Sequence, residues 1–302
     1  MRKKLQKLIV ILGPTASGKT ALSINLAKKF NGEIVSADSR QVYKGMDIGT
    51  GKVTKKEMQG IPHYLLDVVS PKRRFTVTQY RNLALRAINK IQKAGKIPFL
   101  VGGTGFYIQA IVEGIVIPEV KPDWKLRKQL EKKSIKELYE ILKKLDPRRI
   151  RTIEKENPRR LIRAIEIVLK TKKPVPILKF QPLPYPVLMI GIKKTPQGLK
   201  KLIKNRLLKR LKKGMVAEVR RLRKEGLSWQ RLEEFGLEYR YIAQYLQKKI
   251  NYYEMTEKIK KESEQYSKRQ MTWFKRDKRI KWIKNYQEVK TLIKNFLKNG
   301  VY

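Results

Sequence analysis

The chain has 302 residues, with 72 Lys and Arg against 26 Asp and Glu, a formal net charge of +46. The absence of cysteine excludes disulfides, a thiol nucleophile and thiolate metal sites, and a single histidine, His63, excludes His-rich zinc centres and argues against a Ser-His-Asp triad. A hydrophobic share of 41% excludes a disordered chain, while the charge asks for a polyanion, nucleic acid first and a membrane surface second.

In chain order, Leu8 to Leu12 is an apolar run that enters Gly13 directly, which marks a buried strand and not a signal peptide. Lys19 to Phe30 has helical spacing through Leu22, Leu26 and Phe30. Glu33 to Ser36 reads as a second strand, ending at Ala37-Asp38-Ser39. His63, within Gly60-Ile61-Pro62-His63-Tyr64, reads as a hydrogen-bonded structural residue. Thr78 to Ala94 is an amphipathic helix stopped by Gly95, and Ile97 to Val101 is a third strand broken by Gly102-Gly103. Alternating strands and helices predict an α/β fold, a parallel sheet flanked by helices.

After Gly114 the pattern changes. Residues 115–122 hold two prolines and no helical period; Trp124 to Leu145 and Pro158 to Lys170 then read as basic helices. Pro174 to Pro186 contains five prolines and predicts an irregular connector. Val187 to Ile192 looks like a strand returning to the sheet, and Ile280 to Ile283 a closing one. We therefore expect residues 1–113 to form the first part of a core, 114–185 an inserted all-helical subdomain, and 186–302 a mostly helical completion. No apolar run is long enough for a membrane helix, so we expect no membrane partner and a cytoplasmic location.

Gly13-Pro14-Thr15-Ala16-Ser17-Gly18-Lys19-Thr20 matches G-x-x-x-x-G-K-[ST] between a strand and a helix. Its backbone N–H groups and the helix N-terminus attract phosphate oxygens. Lys19 adds a mobile charge, and the Thr20 hydroxyl suits Mg²⁺. The loop specifies a diphosphate or longer group, a class that includes nucleotides such as ATP, without naming one. Asp38 lies at the carboxyl edge of the second strand, where a Mg²⁺ ligand, a general base or a helix cap would all fit. The third strand ends in Gly102-Gly103-Thr104-Gly105, with no acid where a hydrolase would want one, which argues against an ordinary NTPase. Asn157-Pro158-Arg159-Arg160 opens a helix, with Arg163 on the same face as Arg159; three cations at a positive helix end suit an anion. Ile259, Tyr266 and Trp273 recur every seven residues as a core seam, while Lys261, Lys268 and Lys275 form a basic seam able to track RNA.

Together, GPTASGKT, VSADSRQVYKGMDIGTGK (35–52), GIPHYLLD (60–67), VGGTGFY (101–107), NPRRLIRAIE (157–166) and YSKRQMTWFKR (266–276) resemble the tRNA dimethylallyltransferases over nearly the whole chain. The resemblance implies a P-loop core, an inserted helical domain that grips the anticodon stem-loop, and Mg²⁺ as cofactor. It implies transfer of a dimethylallyl group from its diphosphate to N6 of the adenosine 3′ to the anticodon. It also implies catalytic roles for Asp38 as base, for Thr104, and for Arg206 as a diphosphate clamp before Gly214. The diphosphate would lie on Gly13, Pro14, Thr15, Ala16, Ser17, Gly18, Lys19 and Thr20. tRNA contacts would come from Asp38, Ser39, Arg40, Gln41, Thr104, Arg127, Arg159, Arg160, Leu161, Ile162 and Arg163. We expect a monomer. The sequence departs from the family at Tyr64, at Ser263-Glu264 and at Gly236-Leu237-Glu238-Tyr239, and that last loop is not counted among the RNA contacts. The alternatives are a dimethylallyltransferase acting on free adenylate, a P-loop small-molecule kinase and a non-catalytic RNA-binding protein.

Overall fold

A computed structural model describes residues 6–116, 120–177, 179–283 and 285–299 of the chain. Residues 117–119 of the first proline-bearing stretch and Leu178 of the connector lie outside it. The strands are β1 (Leu8–Leu12), β2 (Gly32–Ala37), β3 (His63–Tyr64), β4 (Ile97–Gly102), β5 (Ile115–Val116), β6 (Lys179–Phe180), β7 (Val187–Ile192) and β8 (Lys281–Ile283). Six of them form one sheet in the order β3-β2-β4-β1-β7-β8, and every pairing in it is parallel.

The sheet is buried on both faces, as parallel sheets require. Leu8, Val10 and Leu12 of β1 pack with Val35 and Leu100 against the helices Val77–Lys93 and Gly105–Val112. Ile9 and Ile11 point the other way, with Ile34, Phe99 and Ile190, against the helices Lys19–Lys29 and Tyr286–Asn299. Every residue of β1 is buried, which is why this strand reads as a continuous apolar run instead of an alternating one. Register aligns the strand ends: Leu12 lies opposite Gly102 and Gly191, and Ala37 opposite Gly102. The residues that leave β1, β2 and β4 therefore emerge at one edge. The chain departs from β1 first to β2 beyond β4, and later returns on the other side at β7, so the edge beside β1 is a topological switch point, where such sheets bind ligands.

Five further helices, Pro196–Lys212, Met215–Lys224, Trp229–Glu234, Leu237–Leu246 and Tyr252–Phe274, share a third apolar cluster built on Leu207, Met215, Leu232, Ile242, Met255 and Ile259.

Residues 115–181 form a second compact unit. Its core is Leu130, Leu138, Leu142, Ile150, Leu161, Ile162 and Ile165. Two details differ from the sequence expectation. The stretch 124–145 is two helices, Trp124–Leu130 and Ile135–Leu145, because Ser134 and Glu137 form a capping box that starts the second. The unit is also not purely helical, since β5 and β6 pair antiparallel. His63, expected to be structural, sits in β3, paired with β2, and its Nδ1 hydrogen-bonds the Ile61 carbonyl at 2.8 Å.

Candidate active site

The phosphate loop leaves β1 through Gly13, whose φ of 151° is in the region open to glycine, and reaches Gly18 at φ 91°. Ala16 is also left-handed, at φ 61°, a conformation an alanine seldom adopts and one that turns its peptide into the loop. No side chain caps the Lys19–Lys29 helix, so its first N–H groups remain available to an anion. The buried Ser17 hydroxyl has no hydrogen-bond partner, an orphan that a phosphate oxygen would satisfy.

Lys19 is half-buried and its Nζ donates to the Pro14 carbonyl at 2.6 Å. Burial pulls its ammonium down to about 7; the like charge of Arg206 pushes the same way, and Asp38 opposes them. Arg206 arrives from the Pro196–Lys212 helix. Its Nη1 donates to Thr15 Oγ1 at 3.2 Å, and its Nη2 makes longer contacts of 3.4 Å with the Thr50 and Gly51 carbonyls. Burial lowers Arg206, with Arg210 adding to it. Gly51 has φ 61°, and a Cβ there would collide with the Arg206 guanidinium, so this glycine makes room for the arginine. Two desolvated cations around one loop are unfavourable alone and favourable around an anion.

The loop that follows Asp38 is tied down from the helical arm. The buried Glu218 carboxylate accepts the amides of Asp47, Ile48 and Gly49 at 2.7–3.0 Å and the Tyr239 hydroxyl at 2.8 Å. Arg210 donates to the Gly49 carbonyl and pairs with Glu238. Glu238 and Tyr239, where the sequence departs from the pattern it resembles, thus hold this arm together.

Asp38 Oδ1 accepts the amides of Arg40 (2.8 Å) and Gln41 (3.3 Å), which fixes the carboxylate, while Oδ2 takes no hydrogen bond among the described residues. Thr104 Oγ1 accepts the Ser39 amide at 3.0 Å. The Arg40 side chain donates to the Phe235 carbonyl at 2.8 Å. Tyr266, read from the sequence as part of a core seam, is half-buried beside Asp38, Arg40 and Thr104; burial first, and then Asp38, raise its hydroxyl to about 12. Thr20 lies exposed at the helix start. No cluster of three or more His, Asp or Glu among the described residues could hold a metal alone. The donor set fits Mg²⁺ only as an ion whose other ligands are diphosphate oxygens and water.

In the second unit, the arginines expected to share one face divide in two. Asn157 caps the Pro158–Thr171 helix through the Arg160 amide, as the sequence indicated. Arg159 and Arg160 are exposed, Arg160 with an ion pair to Glu154 at 3.4 Å. Arg163 is instead committed internally: it pairs with Glu166, whose side chain is 0% exposed, and donates to the Val120 carbonyl at 2.9 Å. Arg127 binds the same carboxylate through Nε (2.9 Å) and Nη2 (2.6 Å) and stacks on Trp124. Burial alone would raise Glu166, but Arg127, the Asp123 amide and Arg163 outweigh it and hold it low. Leu161 and Ile162 are core residues, so their side chains are not RNA contacts.

This division has a measurable consequence. Arg127→Ala or Arg163→Ala strips a partner from a buried carboxylate, a class of change that costs about 3–5 kcal/mol when the charge is left alone and less when one arginine remains. Arg159→Ala and Arg160→Ala leave stability within about 0.5 kcal/mol; on the expectation that RNA lies on this exposed pair, each also flattens the slope of log RNA affinity against log salt by ~0.7–0.9. Thermal melts and binding across a salt series separate the pairs. A destabilised Arg159→Ala, or a salt slope untouched by either exposed substitution, would refute the division.

The fold and site define a P-loop α/β protein, with a cationic phosphate loop and one carboxylate at the same switch-point edge, an arrangement suited to a phosphorylated ligand. The IPP transferase profile matches residues 41–277, and the chain belongs to that family. It is 39% identical over 301 residues to the tRNA dimethylallyltransferase of Acetivibrio thermocellus, covering 96% of each chain. Among solved structures it resembles the full-length tRNA isopentenylpyrophosphate transferase of Bacillus halodurans, with TM-score 0.74, 34% identity and 98% of each chain covered. It also resembles a eukaryotic dimethylallyltransferase captured in crystallographic snapshots acting on tRNA, with TM-score 0.79, 27% identity, 97% of this chain and 80% of that one. No helix among the described residues is long and apolar enough to cross a membrane.

Proposed function

We propose that this chain transfers a dimethylallyl group from dimethylallyl diphosphate to N6 of the adenosine 3′ to the anticodon of tRNA, releasing diphosphate. One observation carries the chemistry: Lys19 and Arg206 meet at the phosphate loop while Asp38 stands at the end of the neighbouring strands, so a leaving-group site and a proton acceptor share one sheet edge. Family membership and full-length likeness to proteins named for this activity support the substrate pair.

An allylic C–O bond ionises when charge on the departing diphosphate is neutralised. The loop amides, Lys19, Arg206 and the Ser17 hydroxyl are suited to this. Mg²⁺, held by Thr20 together with diphosphate, would add further neutralisation when bound. The exocyclic N6 is a weak nucleophile because its lone pair is delocalised. As N6 bonds to the allylic carbon and the C–O bond breaks, the N6 proton passes to Asp38. Thr104 keeps the Ser39 backbone, and with it Asp38, in place. The target base must leave its stack to reach this edge. Ser39, Arg40, Gln41, Arg127, Arg159 and Arg160 are the proposed tRNA contacts; Arg163 and Arg127 also build the unit that carries the exposed pair. We assign the chain to the cytoplasm, where its tRNA is, and propose that it works as a monomer.

The deciding experiment incubates the protein with unmodified tRNA, dimethylallyl diphosphate and Mg²⁺, then digests the RNA for mass spectrometry. N6-dimethylallyladenosine is the expected product. Prenylated free adenylate, or a phosphorylated small molecule, would replace this reading.

Lys19 adds a pH signature. Its folded pKa of about 7 lies below its ordinary 10.5, so between these values the free site is largely neutral at Lys19. Binding a diphosphate favours the charged form, so binding takes up a proton there, and affinity falls as pH rises above about 7. Calorimetry at about pH 8.5 in buffers of different ionisation enthalpy reads this uptake directly. Uptake equal in wild type and Lys19→Met would assign the proton to another group.

A further inference from the structure

Gln270 lies on the buried stripe of the Tyr252–Phe274 helix, among Met255, Ile259, Ser263, Ser267 and Phe274. An apolar side chain would pack such a stripe equally well, and a buried amide is costly unless satisfied. This one is satisfied at both ends by the two glycine-rich loops. Its Oε1 accepts the Thr15 amide at 2.8 Å, and its Nε2 donates to the Gly103 carbonyl at 2.7 Å. Only one orientation meets both partners, since a backbone amide can only donate and a carbonyl only accept. Gly103 is part of the fit, because a Cβ there would strike the Gln270 amide.

On either side of this bridge the hydrogen bonds continue. Thr15 Oγ1 receives Arg206, the residue after Gly103 accepts the Ser39 amide through its hydroxyl, and Asp38 Oδ1 holds the next two amides. We propose that Gln270 is a positioning residue that fixes the distance between the phosphate loop carrying the leaving group and the strand end carrying the Asp38 carboxylate. The proposal rests on the prenyl-transfer reading above. Gln270 touches no reacting atom; it holds the two halves of the reaction in register. A side chain able both to accept and to donate is required, which excludes Met and an ionised Glu as substitutes.

Two variants test it. Gln270→Met removes both hydrogen bonds at similar volume, and Gln270→Glu keeps the acceptor for Thr15 but sets an acceptor against the Gly103 carbonyl. Single-turnover prenyl transfer at saturating substrates should fall about 10²-fold in Gln270→Met, the scale of a 1 Å misplacement. tRNA affinity should stay within about threefold of wild type. Hydrogen exchange over residues 13–20 should rise in Gln270→Met and stay protected in Gln270→Glu, which is nonetheless slow in transfer. Wild-type transfer rates in either variant overturn the proposal, as does exchange that rises uniformly across the sheet. If Gln270→Met fails to fold, Gln270→Glu decides by rate and exchange alone. Should the wild type make no prenylated tRNA, the functional reading falls, while exchange at residues 13–20 still tells whether Gln270 holds the loop.

Discussion

An Asp38→Asn variant should lose about 10²–10⁴ of its prenyl-transfer rate, the usual contribution of a general base, while binding tRNA nearly as tightly as the wild type. The geometry makes this substitution unusually clean. Oδ1 accepts the Arg40 and Gln41 amides, and an Asn carbonyl can keep both bonds. What changes is the other oxygen, which becomes an NH₂ and can no longer take a proton. The Thr104–Ser39 contact does not involve the carboxylate and should persist. Single-turnover kinetics with prebound tRNA give the number. A variant within about tenfold of wild type would remove Asp38 from the role of base.

Arg206→Ala should cost about 10²–10³ in transfer, comparable to removing one preorganised donor from a site of developing negative charge. The loop it contacts should survive, because Glu218 still binds three of its amides and Arg210 still holds the Gly49 carbonyl. Loss of Arg206 also relieves Lys19 of a like charge, so the thermal midpoint should not fall. Arg206→Lys keeps the charge but cannot span Thr15 and the Thr50–Gly51 carbonyls at once, and should recover only part of the rate. Diphosphate binding and transfer at wild-type levels in Arg206→Ala would remove this helix from the active site.

The core of the fold and the phosphate loop were legible because their signals are local. An apolar run into a glycine, and strand-to-helix alternation, need no long-range information. Asp38 was marked by its place after β2, which left ligand, base and cap all open, and Thr104 entered through the family resemblance. Arg206 did not: it lies far along the chain from Thr15, and only family resemblance pointed to it. Gln270 and Tyr266 went unread because a seven-residue seam of aromatics looked like packing. The informative stripe was Met255, Ile259, Ser263, Ser267, Gln270 and Phe274, a buried helix face that turns polar in its middle. The NPRRLIR arginines misled for a different reason. Spacing put Arg159 and Arg163 on one face, but a buried acid three residues beyond Arg163 claims it, and sequence alone does not show burial. The break at Ser134 was readable as S-x-x-E, yet basic residues on both sides masked it.

The position of β1 at the centre of the sheet has a consequence for synthesis on the ribosome. β1 pairs with β4 on one side and β7 on the other, and the second unit is translated between those two partners. At ~5–20 residues per second, several seconds separate the emergence of β4 from that of β7. Throughout that interval Leu-Ile-Val-Ile-Leu presents an unpaired hydrogen-bonding edge with no charge along it, the kind of edge that recruits foreign strands. Nascent chains stalled before Val187 should therefore be the form of this protein most dependent on chaperones and most prone to aggregate.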